Sequence, residues 1–151
     1  MRLILRRGDQ TDAAAAADLW LRARHAARPA IPAAVHSDEE VRSWFVTHVV
    51  PLLDLWIAES DDGELRGILV LDGAWLAQLY VDPSWTGRGI GGRLIELAKR
   101  ERPLGLHLWT FVSNERAQRF YERNGFVEID RTDGHANEEH APDIEYAWRA
   151  I

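Results

Sequence analysis

Residues Ala77 to Lys99 read AQLYVDPSWTGRGIGGRLIELAK: a short apolar run, a proline, a glycine-rich turn and an amphipathic helical pattern. Ile90, Leu94, Leu97 and Ala98 recur at i, i+4, i+7 and i+8, which predicts a helix with one buried face starting at the end of the turn. Gly87, Gly89, Gly91 and Gly92 crowd that turn, and glycine lets backbone approach a ligand closely and take positive φ without steric cost. The first turn of a helix leaves four N–H groups unpaired and carries a partial positive charge. A strand, turn and helix of this composition therefore suit a phosphate or pyrophosphate.

Three phosphate-binding readings compete for these glycines, and spacing separates them. Gly87-Arg88-Gly89-Ile90-Gly91-Gly92 matches G-x-G-x-x-G, but that dinucleotide fingerprint needs an acidic residue about 20 residues later. The chain there reads Leu108-Trp109-Thr110-Phe111-Val112, and the part of the chain after the turn is too short for the remaining strands of a dinucleotide fold. A P-loop ends in Gly-Lys-Ser/Thr, whereas Gly92 is followed by Arg93 and Leu94. Thr86-Gly87-Arg88-Gly89-Ile90-Gly91 instead resembles the Arg/Gln-x-x-Gly-x-Gly/Ala turn of the GNAT-type N-acetyltransferases at every defined position except the first.

Upstream of the turn, Leu55–Ala58, Ile68–Leu71 and Trp75–Val81 are apolar runs separated by Asp61-Asp62-Gly63 and Asp72-Gly73. Asp-Gly between such runs signals hairpins, so these strands should form an antiparallel meander whose third member delivers the turn. Before them, Leu3–Arg6 reads as a strand. Ala16, Leu19, Trp20 and Ala23 then form the apolar stripe of a helix running to about Arg28, ended by Pro29 and Pro32. Ser37 and Glu40 have capping-box spacing for a second helix that continues through Trp44 and Phe45 until Pro51. Downstream, Leu106–Phe111 is a strand parallel to the one before the turn, because a helical crossover joins them. Asn114 caps a short helix carrying Ala117, Phe120 and Tyr121 on one face, and Phe126–Ile129 and Ile144–Trp148 close the chain around a polar loop from about Arg131 to Asp143.

Composition sets the outer limits. The 151 residues, 46% of them hydrophobic, fit one domain spanning residues 1–151. No apolar run approaches a membrane span, and Met1–Arg7 is too short and too soon charged for a secretory signal, so a cytoplasmic protein is expected. With no cysteine, disulfides, thiolate metal sites and a cysteine acyl-enzyme are excluded. The formal charge of −6 is opposite to that of a nucleic-acid-binding domain and fits cationic or neutral substrates better.

A second motif supports the resemblance. Asn114-Glu115-Arg116-Ala117-Gln118-Arg119-Phe120-Tyr121-Glu122-Arg123-Asn124-Gly125-Phe126 is similar to the N-x-x-A-x-x-F-Y-x-x-x-G-F pattern of the same superfamily, and it follows the glycine turn after one helix and one strand. The element order β, α, α, three antiparallel strands, α, β, α, β, β resembles that superfamily along nearly the whole chain. The resemblance implies a mixed α/β fold in three α/β/α layers, the GNAT acyl-CoA N-acyltransferase fold.

It further implies an acetyl-CoA-dependent N-acetyltransferase acting by direct transfer on a small-molecule or peptide amine, with no metal. The pyrophosphate would lie on the amides of Gly87, Arg88, Gly89, Ile90, Gly91 and Gly92. The pantetheine arm would pair along Leu79, Tyr80 and Val81, where the strand usually carries a bulge and splays from its parallel neighbour, with Asn114 on the same side. Thr86 replaces the usual Arg/Gln beside the pyrophosphate, a departure that bears on affinity. Tyr121 would protonate the leaving thiolate, since a tyrosine with a pKa of about 10 is protonated at neutral pH; helical spacing by itself also fits a core aromatic beside Phe120.

No base that deprotonates the amine stands out: Gln78 and Tyr80 are expected on the acceptor side of the strand, and the choice is left open among Glu138, Glu139, Asp143 and Glu145, acting directly or through water. His135, Glu138, Glu139 and His140 fit no metal-ligand spacing. The acceptor is expected between the loop at Arg28–His36 and the loop at Arg131–Asp143. Dimers are frequent in the superfamily, so a homodimer is also admitted. Two other functions remain open: a transferase using a longer acyl group or an oxygen acceptor, and a catalytically silent acyl-CoA sensor, against which the retained Tyr121 counts.

Overall fold

In the computed structural model, which describes residues 2–150, β1 (Leu3–Arg7) leads through a short 3-10 turn into α1 (Ala13–Ala26). Met1 and Ile151, the outermost residues of the expected domain, lie outside the described residues. A second helical run comprises α2 (Asp38–Trp44), a π turn (Phe45–Val49) and α3 (Val50–Leu52). Then come β2 (Asp54–Ser60), β3 (Leu65–Asp72), β4 (Trp75–Val81), α4 (Ile90–Glu101), β5 (Leu106–Phe111), α5 (Glu115–Arg123), β6 (Val127–Thr132) and β7 (Asp143–Trp148). The strands form one sheet in the order β1-β2-β3-β4-β5-β7-β6. Every neighbouring pair is antiparallel except β4 and β5, which are parallel.

Alternation along the central strands sends side chains into two cores. Leu55, Ile57, Ile68 and Val70 join Ala16, Leu19, Trp20 and Phe45 beneath α1 and α2, while Leu69 and Leu71 join Leu94, Ile95, Leu106 and Tyr121 beneath α4 and α5. With both faces covered, β3 reads as a nearly continuous apolar run instead of an alternating one. These are the three α/β/α layers. Gly67 on β3 sets the distance to α4: a Cβ there would stand 2.9 Å from Leu94 Cδ1 and 3.0 Å from Ile90 Cγ2. Only a residue without a side chain lets the helix seat this closely behind the glycine turn.

The helix caps follow the sequence. The Ser37 hydroxyl accepts from the Glu40 N–H at 3.1 Å and the Glu40 carboxylate accepts from the Ser37 N–H at 2.9 Å, a reciprocal capping box. Two boundaries differ from expectation. α1 ends at Ala26, and the second helical run passes Pro51 to reach Leu52. Proline has no N–H to donate and its ring crowds the carbonyl four residues back; here the turn before it widens, with the Val50 N–H reaching the Phe45 carbonyl, and so accommodates Pro51 without ending the run.

Candidate active site

The sheet opens at β4. That strand pairs along its length with β3 but meets β5 only at Trp75 and His107. Val70 faces Gln78 while Leu71 faces Leu76, so Ala77 is a bulged residue that bends β4 away from β5. Beyond the bulge, the Asp82 N–H reaches the Arg66 carbonyl at 2.8 Å on the β3 side. Alternation then turns the N–H and C=O groups of Leu79 and Val81 toward the open side, where no strand answers them.

A cleft of about 660 Å³ fills this opening and runs past the glycine turn; Leu79, Tyr80, Val81, Thr86, Gly87, Gly89, Ile90, Gly91, Gly92, Asn114 and Tyr121 all line it. Gly87 and Gly89 have φ of +79° and +80°, values that a residue with a side chain rarely adopts. Gly89 is the N-cap of α4. A serine or aspartate there would satisfy one of the first-turn N–H groups itself; glycine leaves them open to the cleft.

Of the residues expected to bind the cofactor, Arg88 alone lies outside the lining. Its guanidinium lies 4.4 Å from the centre of the Trp85 ring, which Arg66 approaches at 4.3 Å. Trp85 itself lines the cleft. Thr86 donates its hydroxyl to the Pro83 carbonyl at 3.4 Å, within the turn. Asp82 pins the start of the turn, accepting from Arg66 at 3.0 Å and from the Ser84 N–H and hydroxyl at 3.0 and 2.8 Å. Burial opposes its charge, but those hydrogen bonds hold its carboxyl below the usual range.

Tyr121 enters the far wall from α5, edge-on to Phe120 and Phe126 with ring centres 5.3 and 5.6 Å away. It is therefore both a core aromatic and a cleft residue. Among the described residues its hydroxyl has no hydrogen-bond partner. Burial, with Tyr80 nearby, pushes that hydroxyl above its ordinary value, so it stays protonated throughout the neutral range. Asn114 positions α5, its side chain accepting from the Ala117 N–H at 3.3 Å.

On the α1 side Ala23 and Ala26 line the cleft, and Trp20 and Arg24 stand behind them, tied to the lining residues Gln78 and Tyr80. Trp20 Nε1 donates to Gln78 Oε1 at 2.9 Å. Arg24 stacks 4.7 Å from the Trp20 ring and reaches the Tyr80 hydroxyl at 3.5 Å, the Pro32 carbonyl at 3.3 Å and Glu139 at 3.3 Å. The two loops expected to flank the acceptor do meet: His36 bonds Glu138 at 2.9 Å, and Arg24 ties α1 to Glu139. Ser113, after β5, donates to the Ala30 carbonyl at 2.6 Å.

A second cavity of about 370 Å³ lies under the Arg131–Asp143 loop, lined by Thr132, Ala136, Asn137, Glu139 and Asp143 and sharing Trp109, Thr110 and Phe111 with the first. The cavities thus adjoin across β5.

Of the candidate bases, only Glu139 and Asp143 line this second cavity. Gln78 is held by Trp20, Glu138 by His36, and Glu145 by His107 at 3.0 Å. Asp143 accepts from Asn137 Nδ2 at 3.1 Å and from the Thr132 hydroxyl. Among the described residues no group of three His, Cys, Asp or Glu side chains could hold a metal ion, and no helix is long and apolar enough to cross a membrane. Trp20, Arg24, Trp109 and Asn137 carry no motif that marks them in the sequence. For the first two a signal exists, since they stand four residues apart and share one helical face.

A split parallel pair with an unanswered strand edge, a helix N-terminus opening beside it and a buried tyrosine opposite are the features expected from the resemblance to an acyltransferase. Comparison with known proteins agrees. Residues 51–128 match the family model described as an acetyltransferase (GNAT) domain. The peptidyl-lysine N-acetyltransferase YjaB of Salmonella typhimurium is 34% identical over 88 residues, 58% of this chain and 60% of that protein. The peptidyl-lysine N-acetyltransferase YiaC of Escherichia coli is 28% identical over 84% of this chain and 85% of its own. The crystal structure of the PaiA N-acetyltransferase from Thermoplasma acidophilum in complex with coenzyme A superposes with a TM-score of 0.70 at 21% identity, covering 99% of both chains. The chain belongs to the GNAT acetyltransferase family, and by class it is an acetyl-CoA-dependent N-acetyltransferase.

Proposed function

We propose that residues 1–151 act as one domain that transfers the acetyl group of acetyl-CoA directly to the side-chain amine of a lysine in a peptide, within a ternary complex. The observation that carries this reading is the meeting of two cavities across β5. One offers backbone along the split and at the glycine turn, the other offers carboxylates. The donor set of the first fits the cofactor: unpaired groups at Leu79 and Val81 suit an amide-bearing arm, and the open N–H groups of α4 suit a pyrophosphate. The second suits an amine that arrives as an ammonium and must lose a proton. The peptide acceptor is supported by the names of the two relatives.

In this reading the neutral amine attacks the thioester carbonyl carbon, and the Val81 N–H donates to the oxygen that gains charge. The carbon–sulfur bond then breaks, the thiolate takes the Tyr121 proton, and the amine's proton passes to Glu139 or Asp143, directly or through water. The products are the acetylated amine and free coenzyme A. The raised Tyr121 value keeps that residue in the protonated form the step requires. A screen of lysine peptides and small amines for release of the free thiol tests the proposal. Faster release with lysine peptides is expected; release only with small amines, or with acyl chains longer than acetyl, would replace it with the corresponding alternative.

A further inference from the structure

The core beneath α1 and α2 draws on β2, β3 and β4, and the Arg131–Asp143 loop covers Phe111, Thr132 and Asp143, so on that side of the sheet the first two rows of β5, β6 and β7 lie bare. Register places Trp75, His107, Ala147 and Val127 in one cross-strand row, Trp109, Glu145 and Asp130 in the next, and Phe111, Asp143 and Thr132 in a third. Trp75 and Trp109 stack with ring centres 6.2 Å apart and planes 6° from parallel, and His107 packs 5.2 Å from Trp75. Both tryptophans are exposed, at 36% and 44%, as is Val127 at 62%. A monomer gains nothing from leaving a stacked tryptophan pair in water.

Two observations identify the occupant. Trp109 lines both cavities of the candidate active site as well as this face, so a chain lying on the face leads into the point where the cavities meet. The two bare rows carry the carboxylates Asp130, which is exposed, and Glu145, which is shared with His107 at 3.0 Å, and no lysine or arginine; Asp143 in the third row is buried and taken by Thr132 and Asn137. Carboxylates beside exposed indole rings complement cationic side chains, through ion pairing and through cation–π contact. We infer that this face is the docking surface for the residues flanking the acceptor lysine, and that the segment it takes is extended and basic. The inference rests on the peptide acceptor proposed above.

The test compares two acceptors, a decapeptide with one lysine flanked by arginines and the single-residue compound N-acetyl-lysine amide, on the wild type, Trp75→Ala and Asp130→Lys. Neither residue lines a cavity, and Asp130→Lys reverses an exposed charge with the loss of one exposed hydrogen bond, from the Arg131 N–H. Docking predicts a lower KM for the peptide than for the single residue in the wild type. Each variant should raise the peptide KM at least about tenfold, the scale of losing an aromatic anchor, while kcat and the KM for the single-residue acceptor stay unchanged. An active wild type whose peptide KM is untouched by both variants overturns the docking face alone. A wild type inert toward both acceptors overturns the acceptor reading and the face with it. Sedimentation of the wild type and Trp75→Ala supplies the last discriminator: a wild-type dimer that Trp75→Ala dissociates assigns the face to a second copy of the chain and also overturns the inference.

Discussion

In the proposed function the two ends of the cleft recognise their ligands by different means. At the glycine turn the proposed binding groups are backbone amides, which line the cleft at Gly87, Gly89, Ile90, Gly91 and Gly92 and are left open because Gly87 and Gly89 take positive φ. At the proposed acceptor end they are side chains from β4, β5 and the Arg131–Asp143 loop, gathered from positions as far apart as Gln78 and Asp143 and held from behind by Trp20 and Arg24 of α1. Backbone recognition tolerates changes of side chain but not of conformation; the acceptor end has the reverse sensitivity. Substitutions at the two ends should therefore separate cofactor binding from acceptor selection.

The largest effect should come from Gly89→Glu, which puts a strained left-handed residue and a negative charge at the N-terminus of α4. Activity should vanish, and so should the rise in melting temperature caused by coenzyme A, which at about a hundredfold excess over Kd is worth about 2.7 kcal/mol. Gly63→Glu is the matched control. Gly63 has a φ of +82° with open space around it, so it carries the same backbone strain and the same added charge, in a hairpin outside the cleft lining. Equal loss of coenzyme A stabilisation in both variants would break the assignment of the turn.

Tyr121→Phe comes next. It removes a proton donor and leaves the ring packing, so kcat should fall on the order of a hundredfold while coenzyme A still raises the melting temperature. The pH profile sharpens this. Burial raises the Tyr121 value above the ordinary tyrosine range, so the donor form persists as pH rises, and kcat/KM should climb through the alkaline range as the amine loses its proton. In the wild type no descending limb should appear below about pH 10. Tyr121→Phe activity that equals the wild type across that range would remove the acid role.

Glu139→Gln tests the opposite end. Arg24 loses its charged partner at 3.3 Å and the second cavity loses a carboxylate, so the acceptor KM should rise severalfold, with the melting-temperature response to coenzyme A unaltered. A change in the coenzyme A response instead would mean that the two ends are not separable.

The same contrast explains how much of the molecule is legible in its sequence. The strand, turn and helix from Ala77 to Lys99 and the run from Asn114 to Phe126 are local patterns, in which spacing alone determines caps, periodicity and glycine positions. The meander, the parallel crossover and the two capping sites come with them. The acceptor end cannot be assembled this way, because nothing near Trp20 indicates that Gln78 will stand 2.9 Å away. Trp109 reads as an ordinary strand residue until the splay of β4 and the bare face of β5 expose it. The helical run past Pro51 is hidden for another reason: a widened turn depends on backbone adjustment, which residue type does not announce.

The smallest effect bears on the departure at Thr86. In the resembling turn an arginine or glutamine side chain stands beside the pyrophosphate, whereas here the Thr86 hydroxyl is spent on the Pro83 carbonyl. Arg88 stacks on Trp85 nearby, outside the lining. If backbone amides supply most of the binding, Thr86→Arg adds one partly solvated ion pair, worth about 0.5–1 kcal/mol and hence a few-fold lower Kd for coenzyme A. That gain should shrink as salt is raised, and the acceptor KM should not move. Titration calorimetry at two ionic strengths decides it. A gain of a hundredfold would show that the amides of Gly87 to Gly92 hold the pyrophosphate only weakly and that side-chain charge, here absent at position 86, dominates this end as well.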